Sequence, residues 1–150
     1  MSQTDSTFTP AVIIAIISIV ITIVGWIVTA LIAMSNNSRN LKKLEVNRLI
    51  DELFFKLDFI YNEMLNLAQD KNANKTMAYY IFIAAVRHIE FTCNRIMSLD
   101  GNKPSDSGLI AELRQVSTDD RKYESSKIGS TLAELQHVNE KIKSKYNKTF

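Results

Sequence analysis

The chain has 150 residues and one cysteine, Cys93, which leaves room for one small folded domain and excludes an internal disulfide. A formal net charge of +2 is too mild for a nucleic-acid binder. A mean hydropathy of −0.04 hides a sharp split, because one segment is wholly apolar and the rest is rich in Lys, Asn, Asp and Glu.

Residues 1–10 read as a short tail containing Asp5 and no Lys or Arg. Ala11 to Met34 carries no charge and exceeds the roughly 20 residues that a helix needs to cross about 30 Å of hydrocarbon. The run is too long for a cleaved signal peptide, and no basic residue precedes it. Thr9 suits an N-cap and Pro10 a first helical position. Arg39, Lys42, Lys43 and Arg48 follow the run, and basic flanks stay in the cytoplasm. The expected topology is a single-pass membrane protein with its N-terminus outside and residues 35–150 inside. Size and layout suit a bacterial inner membrane. Asn36, Asn74 and Asn147 each begin an Asn-x-Ser/Thr triplet, and with this topology none meets glycosylation machinery.

Small and polar residues within the run are phased. Ala11, Ala15, Ser18, Thr22, Gly25 and Thr29 follow spacings of 4, 3, 4, 3 and 4, an arc of about 80° at 100° per residue. Such a stripe permits close helix approach in lipid, where packing and Ser or Thr hydrogen bonds replace the hydrophobic effect. Homo-oligomerisation is one reading; packing on another membrane protein and chance spacing are the others.

Beyond the polar stretch SNNSRN, Leu41 to about Asp70 reads as an amphipathic helix. SNNSRN is either a short break or a continuation of the first helix. Val46, Ile50, Leu53, Leu57, Ile60, Met64 and Leu67 repeat at 4, 3, 4, 3, 4, 3, the seam of a coiled coil or bundle. Phe54, Tyr61, Leu65 and Ala68 widen the seam, which suits a helix packed on several neighbours. Stripe and seam share one heptad phase, so one face of a continuous helix would serve parallel self-association in the membrane and below it.

Lys71 to Lys75 reads as a turn. A second helix is expected from about Thr76 to Leu99, capped by Gly101, with Tyr79, Phe82, Val86, Ile89, Cys93 and Ile96 inward. Its opening run MAYYIFIAAV is too short to span a membrane; a buried core helix and interfacial insertion are the two readings. Gly101 to Gly108 is a loop by composition, Leu109 to Val116 a short helix, and Ser117 to Asp120 carries helix-start chemistry. A last helix then runs to about Tyr146, with Ile128, Leu132, Leu135, Val138 and Ile142 inward and Gly129 weakening it. Lys141, Lys143, Lys145 and Lys148 suit a helix C-terminus, and anionic lipid is the other reading for them. The fold class is all-α: one membrane helix and a three- or four-helix cytoplasmic bundle.

Catalytic chemistry is sparse. There is no phosphate-cradling glycine loop, and Cys93 sits on a core face where a thiol acts as a small hydrophobe. Arg87 and Glu90 form an ordinary ion-pair spacing. Glu134, His137 and Glu140 share a helix face and are a conceivable metal set, but salt-bridging on a polar face explains them. No cofactor or metal is expected, and no motif assigns a family. The sequence points to a non-enzymatic, membrane-anchored interaction module that self-associates and recruits or regulates a partner protein. Its rival is a membrane-acting effector, toxin-like or of the phage-exclusion kind, whose oligomerised spans permeabilise or depolarise the membrane.

Overall fold

The computed structural model describes residues 10–70, 72–123 and 127–148, with only the backbone of Asp120, and every element among those residues is helical. Helix α1 is Pro10–Gln69, α2 Lys75–Leu99, α3 Ser107–Thr118 and α4 Ile128–Lys145, with a 3-10 turn at Asp120–Tyr123. No strand occurs among the described residues. Two units divide the chain, Met1–Leu41 and Lys42–Phe150.

In the first unit, Pro10 opens α1 at a position where its missing N–H costs nothing. The expected Thr9 cap and the acidic tail lie outside the described residues. Every side chain from Pro10 to Leu44 is exposed. Residues 35–40 are helical, so the polar stretch continues α1 rather than breaking it. It contains neither Gly nor Pro, the two residues that interrupt a helix most strongly. One 18-residue window of α1 has a mean hydropathy of 3.0, which is long and apolar enough to cross a membrane.

The second unit has a core. All seven seam residues of α1, Val46 to Leu67, are at most 9% exposed, and Leu49 joins them. They form one cluster with Phe82, Val86, Ile89, Cys93 and Ile96 of α2, with Ile110 and Leu113 of α3, and with Leu135, Val138 and Ile142 of α4. Burying each large apolar side chain contributes roughly 1.5–3 kcal/mol before entropy is subtracted. The chain's own helices therefore cover the seam. This removes it as a surface for pairing with a second copy, contrary to the expectation of one shared face.

Local chemistry sets the other boundaries. Asn74 caps α2, its side chain accepting from Met77 N–H at 3.0 Å, while the Asp70 carboxylate accepts from Asn72 N–H at 2.8 Å in the turn before it. Lys71 lies outside the described residues. At its far end α2 stops at Asp100, whose N–H bonds the Ile96 carbonyl at 2.8 Å. Gly101 does not adopt a left-handed conformation, so the expected glycine cap is absent. Asp106 starts α3, accepting from Leu109 N–H at 3.0 Å.

Ser117 and Thr118 end α3 rather than starting the last helix. Their hydroxyls donate to the Leu113 and Arg114 carbonyls, both at 2.7 Å, which are bonds made inside a final helical turn. The 3-10 turn then carries Tyr123 into the core, where its hydroxyl donates to the Ser117 carbonyl at 2.5 Å and its ring lies 5.9 Å from Phe82. Helix α4 begins only at Ile128, so Gly129 falls in its first turn. Leu132 is half-buried, whereas Thr131 and Asn139 of the same helix are fully buried.

Candidate interaction face

Helices α1 and α2 lie side by side in the second unit, tied by Glu45 to Arg95 at 2.9 Å and by Glu52 to His88 at 3.3 Å. Between them is an open cleft of about 390 Å³. Phe55 and Phe59, one turn apart on α1, form one wall. Ile81, Ala84 and Ala85 of α2 form the other, and Lys56 and His88 complete the lining. The floor is closed because Phe82, Val86 and Ile89 point the other way, into the core.

The outer ridge of α2 continues this apolar surface. Met77, Tyr80, Ala84 and Phe91 fall within about 60° of one another at 100° per residue, roughly opposite the buried stripe. Met77, Tyr80 and Phe91 are exposed, and so is Tyr79, which was expected inward. Tyr79 packs edge-on against Tyr80 with ring centroids 5.7 Å apart. The run MAYYIFIAAV is thus split lengthwise: Phe82 and Val86 are core, and Met77, Tyr80 and Ala84 are surface. Neither reading of it as wholly buried nor its hydropathy alone separates those halves.

Ion pairs close the rim of the cleft. Glu52 also approaches Arg48 at 3.6 Å and Lys56 at 4.0 Å, while Glu45 takes both Arg48 and Arg95 at 2.9 Å. Arg48 beside Glu45 holds its carboxyl below the usual carboxylate range. Arg48, expected at a membrane surface, is therefore held between two glutamates. Arg39, Lys42 and Lys43 are exposed on α1.

In the apolar stretch the stripe hydroxyls are engaged locally. Ser18 donates to the Ile14 carbonyl at 2.9 Å, Thr22 to Ser18 at 2.8 Å and Thr29 to Gly25 at 2.8 Å. Ala15 and Gly25 are left as the smooth positions, and nothing lies within 4 Å of the place where a side chain on Gly25 would begin.

The remaining candidates are dispersed. Glu134 pairs with Lys122, and Glu140 accepts from Gln136 at 3.1 Å, so the carboxylates flanking His137 serve different partners. Among the described residues no three His, Cys, Asp or Glu side chains are grouped to hold a metal. Cys93 is buried, and burial pushes its thiol up. Burial likewise raises the Tyr146 hydroxyl, which hydrogen-bonds the thiol and donates to the Pro104 carbonyl at 3.3 Å. Of the C-terminal lysines, Lys143 reaches Asp58 at 2.6 Å and Lys148 reaches Asp51 at 2.8 Å. Lys141 reaches Glu112 at 3.2 Å and Lys145 pairs with Asp106. They clamp α4 to its neighbours.

The residues missed by periodicity are Phe55 and Phe59. They stand outside the 3,4 seam, and the available signal was an i, i+4 aromatic pair one step off the core stripe. Compared with protein-family models, with curated proteins and with solved structures, the chain matches none.

Proposed function

We propose that the chain is a single-pass membrane protein whose cytoplasmic helical bundle is a non-enzymatic interaction module. Ala11–Met34 is the anchor, residues 1–10 face outward, and residues 35–150 work on the inner face, in a bacterial inner membrane. There the module self-associates and holds or regulates a partner protein. The observation that carries this reading is the pairing of an apolar stretch with no buried side chain and a core-forming unit that still exposes an aromatic cleft. Soluble monomers rarely expose contiguous apolar patches beyond a few hundred Å². The bias of Arg39, Lys42 and Lys43 over a tail without Lys or Arg supports the orientation.

The test is fractionation of expressing cells, alkaline extraction of membranes and protease treatment from each side. The chain should resist extraction, and the second unit should be cut only from the cytoplasmic side. Release by alkali, or cleavage of the second unit from outside, overturns the proposal.

The effector reading draws on the exposed stripe around Gly25. It is weakened because Ser18, Thr22 and Thr29 give their protons to their own helix and leave no free hydroxyl donors for a lumen. A membrane-potential dye during induced expression separates the two. Depolarisation that Gly25→Leu and Ser18→Leu both abolish favours the effector, and an unchanged potential favours the module.

A further inference from the structure

We infer that the α1–α2 face is the site at which a second copy of this chain docks, in an isologous contact centred on Phe55 and Ala84. The inference rests on the membrane-anchored reading above and names the surface through which it self-associates.

Three observations select a second copy over other occupants. The first is area. Phe55, Phe59, Met77, Tyr80 and Phe91 are 71%, 37%, 60%, 62% and 63% exposed. With roughly 200 Å² for each such side chain, they offer about 600 Å² per chain. Two copies would bury about 1,200 Å², the lower edge of stable protein interfaces. An anchored chain needs no more, because confinement to one membrane raises the effective concentration of its neighbours.

The second is charge. Glu45 and Glu52 are each met by side chains of the same chain, Glu45 by Arg48 and Arg95, and Glu52 by Arg48, Lys56 and the His88 ring. A rim that carries both signs lets carboxylates of one copy face cations of the other across a two-fold axis. Two carboxylates, Glu45 and Glu52, stand among three cations, Arg48, Arg95 and Lys56, so the rim presents no single-signed field for a strongly charged partner.

The third is composition. Phenylalanine, tyrosine and methionine around a small-residue centre at Ala84 and Ala85 match the apolar core of homodimer interfaces, and a two-fold axis brings each such residue against its own counterpart or near neighbour. The seam of α1 cannot serve instead, because α2, α3 and α4 already cover it.

The experiment is oxidative cross-linking of the full chain in membranes of an expression host, with Ala84→Cys as the reporter. Wild type is the background control because its one thiol, Cys93, is buried. Ala133→Cys, an exposed alanine on α4 away from the cleft, controls for random collision. Ala84→Cys should give a product of twice the 17.0 kDa chain mass, and Ala133→Cys should not. Adding Phe55→Glu, or separately Tyr80→Glu, should lower that product by at least about tenfold, as for loss of a central aromatic anchor. Both positions are exposed, so neither change threatens the core.

The inference is overturned if Ala84→Cys gives no doubled-mass product, if Ala133→Cys gives as much, if the glutamates leave the yield unchanged, or if the new thiol forms its disulfide with a different protein instead. Alkaline extraction on the same samples keeps the two claims apart. A membrane-retained chain without the doubled product sinks the docking site alone, and a chain released by alkali sinks the anchored module with it.

Discussion

One helix, α1, carries two regions with opposite relations to the rest of the chain. From Pro10 to Leu44 every side chain is exposed, whereas from Val46 to Leu67 eight residues are buried beneath the other helices. Both stretches show 3,4 spacing. In the second, the phased residues are large and apolar on a polar background, so the pattern marks the side that the chain itself covers. In the first, the phased residues are small on an apolar background, and among the described residues no side of the stretch is covered. The same periodicity therefore reports on intrachain packing only where the off-stripe residues are polar.

The sharpest way to widen that contrast is to delete equal chemistry from each region. Ile60→Ala, at a position with no exposure, should destabilise the second unit by about 2–5 kcal/mol. Ile19→Ala, on the apolar stretch, should leave the same transition within about 0.5 kcal/mol. Denaturant titration in detergent, read by the accessibility of the buried Cys93 thiol, measures both. Equal effects would mean that the core depends on the apolar stretch.

Next in size is a polar side chain buried between α4 and α1. Asn139 donates to the Leu57 carbonyl at 3.0 Å, and its own Oδ1 has no partner. Asn139→Asp would set an unpaired carboxylate against that carbonyl and should cost about 3 kcal/mol or more. Asn139→Leu removes one net hydrogen bond together with the orphaned acceptor, and should fall within about 1 kcal/mol of wild type. The same titration ranks them, and the reverse order would show that the amide bond, not packing, holds α4 in place.

These residues also show where the sequence was legible. The α1 seam was readable because seven large aliphatic residues alternate with charge over 22 positions. The α2 stripe was readable from Phe82 to Ile96 but not at Tyr79, because MAYYIFIAAV is apolar all round and periodicity vanishes where every position is greasy. Ser117 and Thr118 misled because hydroxyls satisfy the end of one helix as well as the start of another. Asn139 was invisible, since nothing local distinguishes a buried amide from a solvated one. The Phe55 cleft depends on which helix comes to lie beside α1, and that is a tertiary fact.

Alkali probes the second region through its closing contact. Burial raises both the Cys93 thiol and the Tyr146 hydroxyl, so the folded state favours their neutral forms. Their contribution is complete below the ordinary thiol value of 9.0. It is lost as pH rises past that value and past the ordinary tyrosine value of 10.0, while the unfolded chain ionises first. The denaturant midpoint, followed by circular dichroism, should fall from neutral pH to about pH 10, and Cys93→Ala should flatten that fall. A pH-independent midpoint would show that the pair opens to water in the folded state.

The smallest effect belongs to the stripe. Because the Ser18 and Thr22 hydroxyls bond their own helix, Ser18→Ala and Thr22→Val should change self-association in lipid by less than about 1 kcal/mol. Gly25→Leu, which removes the smooth position, should do more. Energy-transfer measurements between labelled chains in vesicles give the ranking, and a larger loss at Ser18 than at Gly25 would mean that the hydroxyl reaches across helices.

The bond from Asn139 to the Leu57 carbonyl joins residues 82 apart in sequence. During synthesis the greasy side of α1 emerges first and its last cover emerges near the end, when Tyr146 clears the ribosome. Every nascent copy therefore passes through a stage in which Leu53, Leu57 and Ile60 have the cover of α2 and α3 but still lack that of α4. Translation that stalls before α4 leaves that stripe short of its last cover. Chains cut short before α4 should therefore be degraded faster than the full chain, measured by pulse-chase of a truncation at residue 127.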